Sequence, residues 1–159
     1  MNADPQDRGF VPIRFAVLTV SDTRGIAEDR SGATLAERIE GAGHILAARA
    51  IVPDEVTRIR TVVRGFAGDP GVDAVITTGG TGLTGRDVTP EAVEPLFDKR
   101  IDGFGIVFHM VSHAKIGTSA IQTRATAGVA GATYIFCLPG SPGACKDAWD
   151  EILVHQLDY

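Results

Sequence analysis

Four short apolar runs, separated by longer amphipathic segments, are the feature that most constrains how this chain can fold. They lie at residues 13–20, 44–52, 73–78 and 133–138. Apolar runs of this length are typical of strands that are buried on both faces of a sheet. Strands that alternate with helices predict an α/β fold, with a mostly parallel sheet and helices on both of its faces.

The segments between the runs carry apolar residues at helical spacing. They predict helices at about residues 31–41, 54–66, 104–113 and 142–156, and a short helix that begins at Thr89. Residues 120–131 are mostly small and predict no single element.

The size and composition indicate a single globular domain. Of 159 residues, 44% are apolar and 22% are charged, and we expect the domain to span residues 11–159 behind a disordered polar tail, residues 1–10. The net charge of −5 argues against nucleic-acid binding. No apolar run approaches the ~20 residues that span a bilayer, and the N-terminus does not resemble a signal peptide, so we expect a cytoplasmic protein with no membrane partner. The two cysteines show no metal-binding spacing, and Cys137 is expected in the core.

The ends of the predicted strands carry polar and glycine residues that should meet at one edge of the sheet. Ligands of parallel α/β sheets bind beyond the carboxyl ends of the strands. The residues at those ends are Ser21, Asp22, Asp54, Thr78, Gly79, Gly80, Thr81, Gly82, Gly140, Ser141 and Pro142.

The loop from Gly79 to Gly82 can bring bare backbone amides close to an anion, because glycine has no side chain in the way. Thr78 and Thr81 would add hydroxyl donors. The loop is neither a Walker loop nor the dinucleotide-binding fingerprint, since both need a different spacing. From spacing alone, a tight turn and an anion site are equally good interpretations.

Two helices are predicted to begin with a hydroxyl residue followed by proline, at Thr89-Pro90 and at Ser141-Pro142. Such helix starts offer free amides and a positive dipole end to an anion. For either helix start taken alone, ordinary capping is the better interpretation.

Asp54 and Asp87 are the carboxylates nearest these loops. A pair of aspartates at a phosphate site usually holds a divalent cation, often Mg2+. The simpler alternatives are an N-cap for Asp54, and a turn residue or an ion pair with Arg86 for Asp87. His109 and His113 are four residues apart, but no third ligand accompanies them, so we do not predict a metal site there.

The stretch from Thr77 to Glu91, TTGGTGLTGRDVTPE, resembles the signature of the MoaB/Mog family of molybdenum-cofactor proteins. The flanking motifs follow the family's order, among them VLTVSDTR from Val17 to Arg24 and LPGSPG from Leu138 to Gly143. The resemblance covers residues 13–157.

The resemblance implies a three-layer, Rossmann-like domain that assembles as a trimer or as a hexamer of two trimers. Active members of the family are molybdopterin adenylyltransferases, which use Mg2+-ATP, release pyrophosphate and pass the product to the molybdate-inserting enzyme. Asp54 and Asp87 match the family's functional aspartates, as Mg2+ ligands or catalytic groups. The ligand-binding loops correspond to Thr78–Gly82, to Thr89, Pro90 and Glu91, and to Gly140, Ser141 and Pro142.

Two other functions stay open at this point. The chain could bind molybdopterin without turning it over, or it could be a nucleotide-binding module whose ligand is not a pterin. One departure from the family concerns His109, which stands where arginine is more usual. If that position serves an anion or a neighbouring subunit, charge is lost near neutral pH.

Overall fold

The computed structural model describes residues 9–157, which form a six-stranded sheet with helices on both faces. The strands are β1 (Arg14–Val20), β2 (Ile45–Val52), β3 (Ala74–Thr78), β4 (Lys99–Arg100), β5 (Thr126–Ala130) and β6 (Thr133–Leu138). The α-helices are α1 (Arg30–Gly41), α2 (Val56–Gly68), α3 (Thr89–Val93), α4 (Asp102–Ile116) and α5 (Pro142–Glu151). Single 3-10 segments lie at Ile26–Glu28, Glu94–Leu96, Gly117–Gln122 and Leu153–His155.

The sheet has the strand order β2-β1-β3-β6-β5-β4. The four strands predicted from the apolar runs are its parallel part, in which β1 pairs with β2 and β3, and β3 pairs with β6. β5 pairs antiparallel with β6, and β4 pairs antiparallel with β5, so β4 runs in the same direction as the parallel strands. The predicted α/β fold with a mostly parallel sheet is therefore confirmed, and the carboxyl ends of four strands share one edge.

Alternate residues of β1 supply two separate cores, which is why the strand is apolar throughout. Phe15 and Val17 pack with α1, α4 and α5 on one face, whereas Ala16 and Leu18 pack with α2 on the other. All four side chains are fully buried. Because successive side chains of a strand point to opposite faces, a strand between two helical layers must be apolar at every position.

The antiparallel strands β4 and β5 were not predicted. β5 consists of small residues because Phe97 packs directly on it, and a Cβ atom at Gly128 would lie 2.2 Å from the Phe97 ring. β4 is only two residues long. Neither strand therefore has the apolar run that reveals a strand in a sequence.

Three predicted helices differ from the structure by two residues or more at an end. α2 covers Val56–Gly68 rather than residues 54–66. α4 begins two residues before the predicted start and continues to Ile116. α5 ends at Glu151, and the predicted continuation to residue 156 contains a 3-10 turn instead. Residues 1–8 of the predicted disordered tail lie outside the described residues, and Phe10 packs on His44 with 5.2 Å between ring centroids. Among residues 9–157, no helix is long and apolar enough to cross a membrane.

Both cysteines lie in the core, where burial suppresses their ionisation. Burial raises the pKa of Cys137 to about 12 and the pKa of Cys145 to about 11. A thiol reacts through its thiolate, so neither side chain should be nucleophilic in the folded protein.

We predict that a disulfide reagent added to the native protein at mildly alkaline pH labels neither cysteine. In denaturant both should react, because the thiols then recover an ordinary pKa near ~8.5 and full access. Counting released thiolate by absorbance, with and without denaturant, checks this. Stoichiometric labelling of the native protein would show that the core placement of these residues is wrong.

Candidate functional site

A groove of about 740 Å³ runs along the sheet edge where the parallel strands end. The loops after β1, β2, β3 and β6 form it together with the segment that follows α4. It is lined by eleven of the residues predicted from the sequence, which are Ser21, Asp22, Asp54, Gly79, Gly80, Thr81, Gly82, Asp87, Gly140, Ser141 and Pro142. The convergence expected from the parallel strands is therefore present in the structure.

The glycine-rich loop takes a conformation that requires glycine. Gly79 and Gly80 have φ values of 105° and 72°, which L side chains rarely adopt. A Cβ at Gly79 would lie 2.3 Å from the Val20 carbonyl oxygen, and one at Gly80 would lie 2.2 Å from Thr89 Oγ1. The amide of Gly79 donates to Leu138, whereas those of Gly80, Thr81 and Gly82 make no hydrogen bond within residues 9–157. Three backbone donors thus remain available at the groove.

Thr78, Thr89 and Pro90, all predicted to contact a ligand, lie behind the groove instead. All three are buried. The Thr78 hydroxyl donates to the Pro139 carbonyl (2.8 Å), and the Thr89 hydroxyl donates to the Gly79 carbonyl (2.8 Å). The expectation that Thr78 offers a hydroxyl donor to an anion is therefore wrong, since its one hydrogen is already used.

The start of α3 does not provide the predicted anion site. Val88 occupies the N-cap position, and the helix is only five residues long. The Thr89 amide donates to the Gly80 carbonyl, and Pro90 has no amide hydrogen. Thr89 therefore positions the glycine-rich loop from behind.

Glu91 also lies outside the groove, where its carboxylate pairs with Arg124. The Arg124 guanidinium donates to the carbonyls of Gly82 and Asp87, both at 2.8 Å, and its backbone amide donates to Thr81 at 2.8 Å. Arg124 thus fixes the path of the whole loop. Sequence reasoning missed this role because the residue falls in the stretch of small residues without a predicted element.

The start of α5 follows the capping interpretation. The Ser141 hydroxyl oxygen accepts a hydrogen bond from the Ala144 amide at 3.1 Å. Gly140 lies against the glycine-rich loop, where a Cβ would approach Gly79 Cα to 3.3 Å. Ser141 and Pro142 nevertheless line the groove, so this helix start is both capped and adjacent to the site.

Three carboxylates line the groove, and the charges of two of them act on the third, Asp54. Asp22 accepts two hydrogen bonds from Arg86 and one from the Asp54 amide, which lower its pKa. Burial and the negative charge of Asp22 raise the pKa of Asp54, with Asp87 adding to the effect and Arg86 opposing it. The groove is therefore a place where a bound cation would relieve repulsion.

The N-cap interpretation of Asp54 is wrong, whereas the turn interpretation of Asp87 agrees with the structure. Asp54 does not cap α2, because the N-cap is Glu55. The Asp87 carboxylate accepts from the Thr84 amide (2.9 Å) and hydroxyl (2.8 Å), so it does serve as a turn residue. The expected alternative of an ion pair between Asp87 and Arg86 is not formed, since Arg86 pairs with Asp22.

The donor set fits a cation that is shared with a bound phosphate rather than one held by protein alone. Within residues 9–157, no cluster of three or more histidine, cysteine, aspartate or glutamate side chains could hold a metal ion. Mg2+ commonly binds through one or two carboxylates and completes its shell with phosphate oxygens and water. Asp54 and Asp87, on opposite loops of one groove, match that pattern.

His109 belongs to the packing of α4. Its Nδ1 lies 2.6 Å from the Gly105 carbonyl oxygen and its Nε2 lies 2.9 Å from that of Thr123. The ring therefore connects the helix to the segment that carries Arg124. Thr23, Arg24, Ser119, Gln122 and Thr123 also line the groove and were not predicted as site residues.

We predict that Asp54→Asn stabilises the protein at neutral pH. Folding raises the pKa of Asp54, so the destabilising charge is fully present above the folded-state pKa and disappears below the unfolded-state value. Thermal melting in EDTA should show a higher Tm for the variant at about pH 7, with the gain shrinking toward about pH 4. Glu55→Gln, a neighbouring exposed carboxylate, is the control. An unchanged or lower Tm for Asp54→Asn at neutral pH would contradict the repulsion inferred here.

Comparison with known proteins identifies the family. Residues 16–159 match a family model described as "Probable molybdopterin binding domain". Molybdenum cofactor biosynthesis protein B of Escherichia coli K12 is 48% identical over 149 residues, which covers 94% of this chain and 88% of that protein. The protein of the same name from Bacillus subtilis is 45% identical over 148 residues, covering 92% and 87%.

Solved structures give the same result. A crystal structure of a molybdenum cofactor biosynthesis protein B has a TM-score of 0.90 and 39% identity, covering 95% of this chain and 96% of that one. The tungsten cofactor synthesizing protein MoaB of Pyrococcus furiosus has a TM-score of 0.81 and 38% identity, covering 91% and 92%. The chain therefore belongs to the MoaB/Mog family of molybdenum-cofactor biosynthesis proteins.

Proposed function

We propose that this protein adenylylates molybdopterin with Mg2+-ATP. An oxygen of the molybdopterin terminal phosphate attacks the α-phosphorus of ATP, the bond from that phosphorus to the bridging oxygen breaks, and pyrophosphate leaves. One observation carries the proposal, which is that Asp54 and Asp87 face one groove with a loop whose three amides are unbonded. The groove volume of about 740 Å³ lies within the ~300–1,000 Å³ typical of small-molecule sites.

The backbone amides of the groove are suited to bind anions, and its carboxylates are suited to bind a cation. The amides of Gly80, Thr81 and Gly82 are suited to hold phosphate oxygens, because backbone donors bind anions without adding a titratable group. Asp54 and Asp87 would hold Mg2+, which when bound neutralises negative charge that develops on the phosphates. Arg124 binds the carbonyls of Gly82 and Asp87, so it holds the glycine-rich loop and Asp87 in fixed positions beside the groove.

A second candidate is a protein that binds molybdopterin or its adenylate and does not turn it over. The matching family model is described by binding rather than by catalysis, which favours this alternative. Tight molybdopterin binding without pyrophosphate release separates it from the enzyme. Preference for ATP alone, without any pterin, would indicate a general nucleotide-binding module.

We also propose that the protein is a homo-oligomer, a trimer or a hexamer, and that it hands its product to a molybdate-inserting enzyme. The outer face of α4 supports assembly, because Ile106 and Met110 lie one turn apart and are 62% and 67% exposed. Ile116 and Ile121, at and after the end of the same helix, are also exposed, at 58% and 76%. Apolar side chains that cluster on a surface mark an interaction site.

We predict that Asp87→Asn lowers pyrophosphate release by about 100-fold or more, because loss of a charged group at the phosphates removes transition-state stabilisation. The amide can still accept from Thr84, so the turn and the fold should persist. A coupled pyrophosphate assay with molybdopterin and Mg2+-ATP measures the rate. Asp69→Asn, in the turn after α2, is the control. Unchanged rates in the Asp87 variant would refute its assigned role.

We predict that Ile106→Glu and Met110→Glu each convert the oligomer to a monomer, because a charge placed in an apolar interface is costly to desolvate. Size-exclusion chromatography with light scattering measures the mass. Ile26→Glu, which alters a 57% exposed isoleucine elsewhere, should leave the mass unchanged. A monomeric unchanged protein, or variants that keep the oligomeric mass, would contradict the proposed interface.

A further inference from the structure

Arg86 and Asp22 form a two-bond ion pair at the groove. Arg86 Nε lies 2.9 Å from Asp22 Oδ2, and Arg86 Nη2 lies 2.8 Å from Asp22 Oδ1. Asp22 follows β1 and lines the groove, whereas Arg86 lies in the loop between β3 and α3. The pair therefore joins two of the loops that form the site, and it uses the Nε and Nη2 donors of the Arg86 guanidinium.

The charges along the groove do not suit a nucleotide as they stand. Among the described residues that line it, Asp22, Asp54 and Asp87 are acidic and only Arg24 is basic. The Arg86 charge acts on Asp54 and Glu55 as well as on Asp22. A ligand with several phosphates needs more positive charge than the lining residues provide. Arg86 is a cation beside the groove that is bound to one of the lining carboxylates, that of Asp22.

The Arg86 side chain can change partners at low cost. Its side chain is 63% exposed, and the Asp22 side chain is 35% exposed. Exposed ion pairs contribute little to stability, because solvent screens them and side-chain entropy opposes them. The planar guanidinium binds phosphate with the same two-bond geometry that it uses for carboxylate.

We propose that Arg86 is a phosphate-binding residue that Asp22 holds back until a divalent cation enters the groove. A cation at the carboxylates weakens the pull of Asp22 on the guanidinium, which then binds the phosphates of the nucleotide. This inference rests on the proposed function, because it takes the groove to be the nucleotide site. It makes cation binding and nucleotide binding cooperative, and the coupling is reciprocal.

Replacing the two partners should have opposite effects on ATP binding. Arg86→Gln removes a phosphate ligand and should weaken ATP binding in Mg2+ by about tenfold. Asp22→Asn removes the negative charge and one of the two hydrogen bonds that hold Arg86, and it should tighten ATP binding in EDTA by several-fold. The amide oxygen of Asn can still accept from the Asp54 amide, so the local backbone contact is kept. In the double variant most of that gain should vanish, because the residue that produces it is gone.

Isothermal titration of the full chain with ATP, in EDTA and in Mg2+, measures these affinities. Arg58→Gln is the matched control, because Arg58 is also 63% exposed and also pairs with a carboxylate, that of Glu55. It should shift ATP affinity by less than about twofold. Binding of Mn2+ alone, followed by its paramagnetic signal, adds a readout without nucleotide. Arg86→Gln should tighten Mn2+ binding, because a competing positive charge is removed.

The outcomes separate this inference from the proposed function. If the unchanged protein binds ATP but Arg86→Gln leaves that affinity as in the Arg58 control, this inference alone is overturned. It is also overturned if the gain in Asp22→Asn persists in the double variant, since the gain would then come from removed repulsion. Failure of the unchanged protein to bind ATP in Mg2+ would overturn both proposals.

Discussion

The hydrogen bonds of Arg124 hold the glycine-rich loop in the shape that the site needs. One guanidinium binds the carbonyls of Gly82 and Asp87 and the carboxylate of Glu91, and the amide of the same residue binds Thr81. A loop of glycine and threonine has many conformations when it is free, and ordering it costs backbone entropy. Several hydrogen bonds from one planar guanidinium group offset that cost. The glycine-rich loop, with its three unbonded amides, and Asp87 are therefore held together beside the groove.

β5 does more than extend the sheet, because it also positions Arg124. Arg124 stands just before β5, so the placement of β5 beside β6 determines where the guanidinium lies. The preceding residue, Thr123, offers its carbonyl to His109 of α4. Helix, strand and loop are thus connected through two adjacent residues. The exposed apolar face of α4 lies on the same helix, so assembly at that face and order in the loop share a structural element.

How much of this could be predicted depends on whether a residue's role is local. The parallel strands were predictable because burial on both faces leaves a continuous apolar run, and the shared edge with Asp54 and the glycine loop follows from that. β5 was not predictable, because its residues are small. They are small because the Phe97 ring packs on Gly128, a residue distant from it in the sequence.

Side-chain direction was equally hidden from the sequence. Thr78 and Thr81 belong to one motif, yet the Thr78 hydroxyl donates to a buried carbonyl, while the Thr81 hydroxyl lies 3.4 Å from that of Thr123 beside the groove. The role of Glu91 also depends on a partner 33 residues away, Arg124. Sequence spacing therefore located the site but did not separate the residues that line it from those that support it.

The groove carries excess negative charge that a bound cation would neutralise. Three carboxylates face a volume with little positive charge along its walls, and burial together with Asp22 raises the pKa of Asp54. Functional sites commonly keep such unfavourable pairs, because the charges are needed when the ligand is present. A cation shared between carboxylates and phosphates would satisfy both, and it would not need the cluster of three or more protein ligands that is absent within residues 9–157.

A crystal structure with Mg2+ and α,β-methylene-ATP, whose bond to the leaving pyrophosphate is blocked, tests this account most directly. We expect the phosphates to lie against the amides of Gly80, Thr81 and Gly82, with the metal ion bound by Asp54 and Asp87. A nucleotide bound elsewhere, for example in the second cavity of about 540 Å³ beside Ile106 and His109, would contradict the account.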